Sequence, residues 1–252
     1  MKLSQSVEKS GWASYPADFW DKTHPAPASV GQLRFWCHCA EKYGGPIVDL
    51  CCGNGRYAIP LAEQGYEVVG VDINQGLIAS AQRFVKDMAE PGREVNASFH
   101  VGDVVTLDLG RTFRLAIMPM WSFQVLLTQE DQISFLERVR EHLLPGGAFA
   151  FNVFIPFNRQ RGLVEKKGAY EWPPDPSYHS AAPRTYDPIS QIETLVESNV
   201  HPIELRHTSL SELKLLFQLT GFEIAELYGD DEDMRPFTGK GDGDYTVLAA
   251  RK

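Results

Sequence analysis

Three short apolar runs in the first half of the chain each end in an acidic or glycine-rich turn, and this recurrence constrains the fold more than any other feature. The first reads Pro46-Ile47-Val48-Asp49-Leu50-Cys51-Cys52-Gly53-Asn54-Gly55-Arg56, the second closes on Asp72 and the third on Asp103. Apolar runs with β propensity, small turn residues and then a helical pattern from Tyr57-Ala58-Ile59 read as strand, turn and helix. Such units build a doubly wound sheet, in which loops at the carboxyl ends of parallel strands converge on a ligand at a topological switch point. The spacing suits a nucleoside-bearing ligand.

In the first turn Gly53 and Gly55 leave no side chain where a ligand would meet main-chain N–H groups, and glycine also supplies φ > 0. Arg56 is expected to open the following helix, where its fork suits a carboxylate; a plain surface arginine is the alternative. Residues Gly53 to Ala58 also fit G-x-G-x-x-G/A, with Asp72 near the spacing of a ribose acid, so a nicotinamide-dependent oxidoreductase is the serious rival. Asp49 argues against that rival, because it stands before the first glycine, where the dinucleotide fingerprint calls for no acid.

Asp49, the glycine turn, Asp72 and the segment Ser98-Phe99-His100-Val101-Gly102-Asp103-Val104 together make the chain resemble the class I S-adenosylmethionine-dependent methyltransferases. The resemblance spans most of the chain except residues 155–208. It implies a Rossmann-like α/β fold, mostly parallel with a closing antiparallel strand, with S-adenosyl-L-methionine as cofactor and methyl transfer to a small-molecule acceptor. Under it Asp49, Cys51, Gly53, Asn54, Gly55, Arg56, Asp72, Ile73, Asp103, Val104 and Met118 frame the cofactor. Arg56 would then face the methionine carboxylate, Asp72 the ribose and Asp103 the exocyclic amine of adenine. Cys51 departs from the family's acid-x-G-x-G-x-G pattern, and a cysteine forced to φ > 0 there would be strained. Ala17-Asp18-Phe19-Trp20-Asp21 resembles the family's F-Y-D segment and places Trp20 on the cofactor, where an aromatic face gains about 0.5–2 kcal/mol from a sulfonium. An aromatic staple packing the leader onto the core is the alternative. A catalytically silent cofactor-binding or interaction protein is a further one.

The 252 residues, 43% of them hydrophobic, suffice for one α/β core with an elaboration. No apolar run approaches the roughly 18 residues of a membrane span, and the start Met-Lys-Leu-Ser-Gln-Ser-Val-Glu-Lys lacks a secretory apolar stretch, so a cytoplasmic protein without a membrane partner is expected. With a formal net charge of -9 and scattered Lys and Arg, the chain shows no phosphate-neutralising stripe, and nucleic acid is not an expected partner. Met118-Pro119-Met120-Trp121 also departs from the [D/N/S]-P-P-[Y/F] motif of amino-directed nucleic-acid methyltransferases. Four cysteines in two tight pairs fit reduced thiols. Cys37-His38-Cys39 lacks a second ligand pair, and the Asp230-Asp231-Glu232-Asp233 run reads as a solvated acidic loop, so no metal is expected. The oligomeric state stays open.

Residues 1–45 are expected to form an N-terminal helical lid, 46–154 the cofactor-binding core, 155–208 a substrate-side insert with an added strand near Gln191 to Val196, and 209–252 the completion of the core. Strands are expected at 66–72, 98–104, 113–118, 149–154, 223–228 and 245–250. Capping boxes at Thr128 and Ser209 open two helices, the first reaching Leu143 and Leu144. Tyr15, Trp121, Phe123, Trp172 and Arg206 are candidates for the acceptor pocket, which with Met120 suits an apolar or planar acceptor; aromatic core is the alternative. Glu171, His179, His201 and His207 are further polar groups of the insert or its exit. Methyl transfer asks mainly for positioning, and no general base identifies itself.

Overall fold

The structure, a computed structural model, describes residues 11–88, 95–154, 164–166, 169–171, 184–196, 202–239 and 244–251. Five strands, β1 (Ile47–Leu50), β2 (Val68–Asp72), β3 (Ala97–Val101), β4 (Phe113–Met118) and β5 (Leu143–Phe154), pair in parallel in the spatial order β3, β2, β1, β4, β5. The order reverses between β1 and β4, so the carboxyl ends of these two strands flank a crevice open to a ligand.

The insert is more than a crossover. Strands β6 (Val164–Lys166), β7 (Ala169–Glu171), β8 (Arg184–Asp187), β9 (Ile192–Leu195) and β10 (Ile203–Arg206) form a separate antiparallel sheet in the order β10, β9, β8, β7, β6. The strand expected near Gln191 to Val196 is β9 of this sheet. Two last strands, β11 (Phe222–Tyr228) and β12 (Asp244–Arg251), return to the main sheet, where β12 lies antiparallel between β5 and β11. The closing hairpin expected from the sequence is therefore present.

Strand residues alternate between two apolar layers, as a sheet covered on both faces requires. Leu115 and Ile117 of β4 and Ala148 and Ala150 of β5 face one layer, whereas Ala116, Met118, Phe149 and Phe151 face the other. Helices α1 (Ala17–Thr23), α2 (Val30–Tyr43), α3 (Ala58–Glu63) and α4 (Gln75–Met88) precede β3, and the last three supply Trp36, Leu61 and Ile78 to the first layer. Helices α5 (Gln129–His142) and α6 (Leu210–Thr220) supply Phe135, Leu136, Leu213 and Phe217 to the second. Their starts carry the N-cap half of the expected boxes: Thr128 Oγ1 accepts from Asp131 N at 3.0 Å and Ser209 Oγ from Glu212 N at 3.2 Å. No helix among the described residues is long and apolar enough to cross a membrane.

Two boundaries differ from expectation. Helix α5 ends at His142, and Leu143 and Leu144 belong to β5, which begins well before Phe149. The pairing explains it: Phe113 opposes Leu143 but Leu115 opposes Ala148, so Pro145-Gly146-Gly147 forms an irregularity inside the strand rather than a break before it. Likewise α3 starts at Ala58 with Tyr57 as its cap, which leaves Arg56 in the turn.

Candidate active site

A cavity of about 1000 Å³ opens at the carboxyl ends of β1 and β2 and extends to the insert sheet. Its lining includes Asp49, Cys51, Gly53, Asn54, Arg56, Asp72, Ile73, Asp103 and Val104 from the strand ends and the glycine turn. Trp12, Tyr15, Phe19 and Trp20 of the leader, Pro119 to Ser122 after β4, and Glu193, Leu195, Ile203 and Leu205 of the insert complete it. The volume is at the upper end of ordinary small-molecule sites, which is room for a nucleoside-sized ligand and a second small molecule.

The three acids differ in their partners. Asp72 accepts from Gly53 N at 2.9 Å through Oδ2 and from Asn74 N at 2.8 Å through Oδ1, so it organises the glycine turn as well as facing the cavity. Burial still raises its pKa above the ordinary carboxylate value, against the lowering from those amides and from Ile73 N. Asp103 Oδ1 accepts from Val105 N at 3.0 Å. Asp49 is 1% exposed, and neither of its carboxylate oxygens completes a hydrogen bond. Burial first and the Asp72 carboxylate second hold its pKa well above the usual range, with the backbone of Ala58 acting in the opposite direction.

Cys51 adopts φ 60°, so the strain anticipated at this departure from glycine is present. The loop after β4 repeats the device, with Met120 at φ 58° and Trp121 at φ 55°, and Trp121 N donates to Asn152 Oδ1 at 2.8 Å. Consecutive left-handed residues without glycine store strain where they line the cavity.

The leader is tied across the glycine turn by amide side chains. Asn54 Nδ2 donates to Asp21 Oδ1 and to the His24 carbonyl, both at 3.0 Å, and Asn74 Nδ2 donates to the carbonyls of Trp12 and Tyr15, both at 2.9 Å. Trp20 stacks on His24 with ring centroids 4.1 Å apart, and its edge meets Trp12 at 5.8 Å and Tyr15 at 5.9 Å. Trp20 lines the cavity and at the same time staples the leader through its aromatic contacts.

Several sequence expectations are corrected. Gly55 does not line the cavity; a Cβ there would lie 2.9 Å from Ile59 and 3.0 Å from Phe99, so packing and its φ of 81° account for the glycine. The side chain of Met118 is fully buried within the second apolar layer, which leaves only its main chain to meet a cofactor. Phe123 packs between Phe135 and Phe151 at centroid distances of 6.1 and 5.1 Å, the turn Ser122–Val125 having rotated it inward. Arg206 is buried away from the cavity and donates to Gln132, Thr208, Gln191 and Glu212 at 2.7–3.2 Å. Arg56 does reach the cavity, yet its fork is engaged by the Pro25 carbonyl at 2.7 Å and Gln32 Oε1 at 2.6 Å, and only its buried Nε lacks a partner. Trp172, His179 and His201 lie outside the described residues.

Glu193 escaped the sequence reading. The alternation of β9 announces a strand but not which face opens on a ligand, and the carboxylate is placed by Arg184 on β8 and His207 just past β10, which only the pairing of the sheet brings together. Asn152 and Trp12 were missed for the same reason: their roles rest on contacts across the fold.

A family model for a methyltransferase domain matches residues 47–147. Among solved structures, the CcbJ methyltransferase from Streptomyces caelestis superposes with a TM-score of 0.75 at 24% identity, covering 97% of this chain and 99% of that one. The glycopeptide N-methyltransferase MtfA, complexed with S-adenosylmethionine, gives a TM-score of 0.61 at 17% identity over 91% of this chain and 98% of its own. At such identities the likeness is one of fold. In sequence, the dTDP-3-amino-3,6-dideoxy-alpha-D-glucopyranose N,N-dimethyltransferase of Streptomyces fradiae is 30% identical over 119 residues, 47% of this chain and 43% of that protein. The chain spans about half or less of the curated relatives it matches, down to 17% of a tRNA/tmRNA (uracil-C(5))-methyltransferase of Neisseria meningitidis. The methyltransferase-domain match thus falls on residues 47–147, and the chain carries the fold of the class I S-adenosylmethionine-dependent methyltransferases.

Proposed function

We propose that the chain transfers a methyl group from S-adenosylmethionine to a small-molecule acceptor by in-line displacement. The observation that carries this reading is the pair of orphaned carboxylate oxygens of Asp49, buried beside the cavity. A buried carboxylate without hydrogen bonds is costly, and a ligand that brings an ammonium group relieves it. Nearby, Asn54 Oδ1 and Arg56 Nε are likewise buried without partners, so both an acceptor and a donor await the polar end of such a ligand.

The residues present fit the cofactor. Asp49 would take its ammonium, and Asp72, whose two oxygens each accept one amide, has further lone-pair sites for ribose hydroxyls. Asp103 would meet the adenine amine. When bound, the cofactor supplies an electrophilic methyl on a sulfonium that leaves readily. Trp12, Tyr15 and Trp20 would then exclude water and present aromatic faces to the cation. Met120 and Trp121 would hold the acceptor against the methyl, which is where the orientation needed for displacement arises.

Calorimetric titration with S-adenosylmethionine, S-adenosylhomocysteine and NAD tests this reading. Saturable binding of the first two alone is expected. Binding of NAD alone would return the oxidoreductase, and binding of none would make the site a degenerate one.

A further inference from the structure

The cavity wall opposite the strand ends contains one acid in an otherwise apolar surface. On β9 and β10, Glu193 faces Leu205 across the ladder and Leu195 faces Ile203, and all four line the cavity. Glu193 is 1% exposed. Its Oε1 lies 3.2 Å from the guanidinium of Arg184 on β8, and its Oε2 lies 2.9 Å from Nε2 of the fully buried His207. These two groups hold the carboxylate in one orientation. An ionised carboxylate takes about four hydrogen bonds, and Glu193 borders the cavity while so held.

A structural ion pair alone is a poor reason for an acid in this place, since apolar residues of similar volume usually serve stability as well or better. The cavity's charge gives a second reason. Its lining carries the carboxylates of Asp49, Asp72, Asp103 and Glu193 against the single guanidinium of Arg56. Even with Arg184 counted behind Glu193, the carboxylates outnumber the guanidinium groups. A zwitterionic cofactor product such as S-adenosylhomocysteine would leave that imbalance in place. Low-dielectric walls of one sign concentrate the opposite charge.

We infer that the acceptor is an amine that binds in its protonated form, with its ammonium on the Glu193 carboxylate and its apolar body against Trp121, Leu195, Ile203 and Leu205, and with Arg184 and His207 as positioning residues; the ammonium gives one proton to that carboxylate before the freed nitrogen lone pair takes the methyl and the carbon–sulfur bond breaks to a neutral thioether. The inference rests on the proposed methyl transfer and names the acceptor class for that same cavity. Trp121, 37% exposed, and the β10 residues supply the flat apolar surface that such a body needs.

The test uses benzylammonium and benzyl alcohol as matched probes, titrated into the full chain with and without saturating S-adenosylhomocysteine. The wild type should bind the amine about tenfold or more tightly than the alcohol, the worth of one charge-assisted hydrogen bond. In Glu193→Gln that preference should vanish while the S-adenosylhomocysteine affinity stays within about twofold. No amine binding, equal binding of the two probes by the wild type, or a preference that survives in Glu193→Gln overturns the inference. The wild-type comparison decides even where the variant fails to fold. Failure of S-adenosylhomocysteine itself to bind overturns the proposed function instead, and the probe preference of the free protein then judges Glu193 alone.

Discussion

The Asp72 carboxylate, at the last residue of β2, accepts the Gly53 amide at 2.9 Å and so fastens the glycine turn after β1 to the end of its neighbouring strand. A residue assigned to the ribose is thus also a structural acceptor. Removing it has two separable costs.

Asp72→Ala should lower S-adenosylhomocysteine affinity by about 1.5–3 kcal/mol through the lost charge-assisted bond. It should also destabilise the free protein by about 1–3 kcal/mol, because the amides of Gly53 and Asn74 lose their acceptor. Calorimetry reads the first and thermal unfolding the second. Lost stability with full affinity would make Asp72 a turn organiser only.

Cys51 provides a test of backbone strain. A non-glycine residue in the left-handed region costs about 1–2 kcal/mol, and a β-branched one more. Cys51→Gly should therefore unfold later than Cys51→Val by about 2 kcal/mol, or roughly 6 °C in a domain of this size. Equal melting temperatures would mean that the turn relaxes and the φ of 60° is not enforced.

How much of this was legible in the sequence follows from how local each feature is. Asp49, Asp72 and Asp103 sit at strand ends, where a run of apolar residues and a turn fix position without reference to distant chain, and all three line the cavity. The closing hairpin was legible for the same reason. Phe123 was misplaced because an apolar run does not show which neighbouring side chain a short turn will rotate inward. Arg206 was misread because its partners Gln132 and Glu212 come from α5 and α6. Glu193 was invisible because nothing local distinguishes it from an exposed strand glutamate.

Asp49 carries a pH prediction. Its folded pKa lies well above 3.8, so the folded chain holds that proton more tightly than the unfolded chain. The sign follows: the contribution of Asp49 to stability is greatest below the unfolded carboxylate value and falls as pH rises from there through the raised folded value. Each unit of displacement costs about 1.4 kcal/mol once that window is passed. Asp49→Asn should lose this decline. In the wild type, a ligand ammonium favours the ionised form, so binding within the window should release a proton and give a heat that changes with the buffer. A buffer-independent heat and an unaltered pH profile in Asp49→Asn would remove Asp49 from the ammonium site.

The Arg206 network separates structure from acceptor recognition. Its side chain is 5% exposed, and the guanidinium bonds Glu212 at 2.7 Å, Gln191 at 2.8 Å, Thr208 at 3.1 Å and Gln132 at 3.2 Å, joining the insert to α5 and α6 of the second apolar layer. Arg206→Met keeps the aliphatic stem but strips four acceptors of a donor and takes the guanidinium from the Glu212 carboxylate, which also accepts from Gln129 Nε2 at 2.9 Å. Breaking a buried pair from one side costs about 3 kcal/mol or more, so unfolding should come about 10 °C earlier. Because Arg206 does not line the cavity, affinity for S-adenosylhomocysteine and the amine-over-alcohol preference should both persist below that temperature. Loss of the preference with an unchanged melting temperature would instead place Arg206 in the acceptor pocket, as its sequence position first indicated.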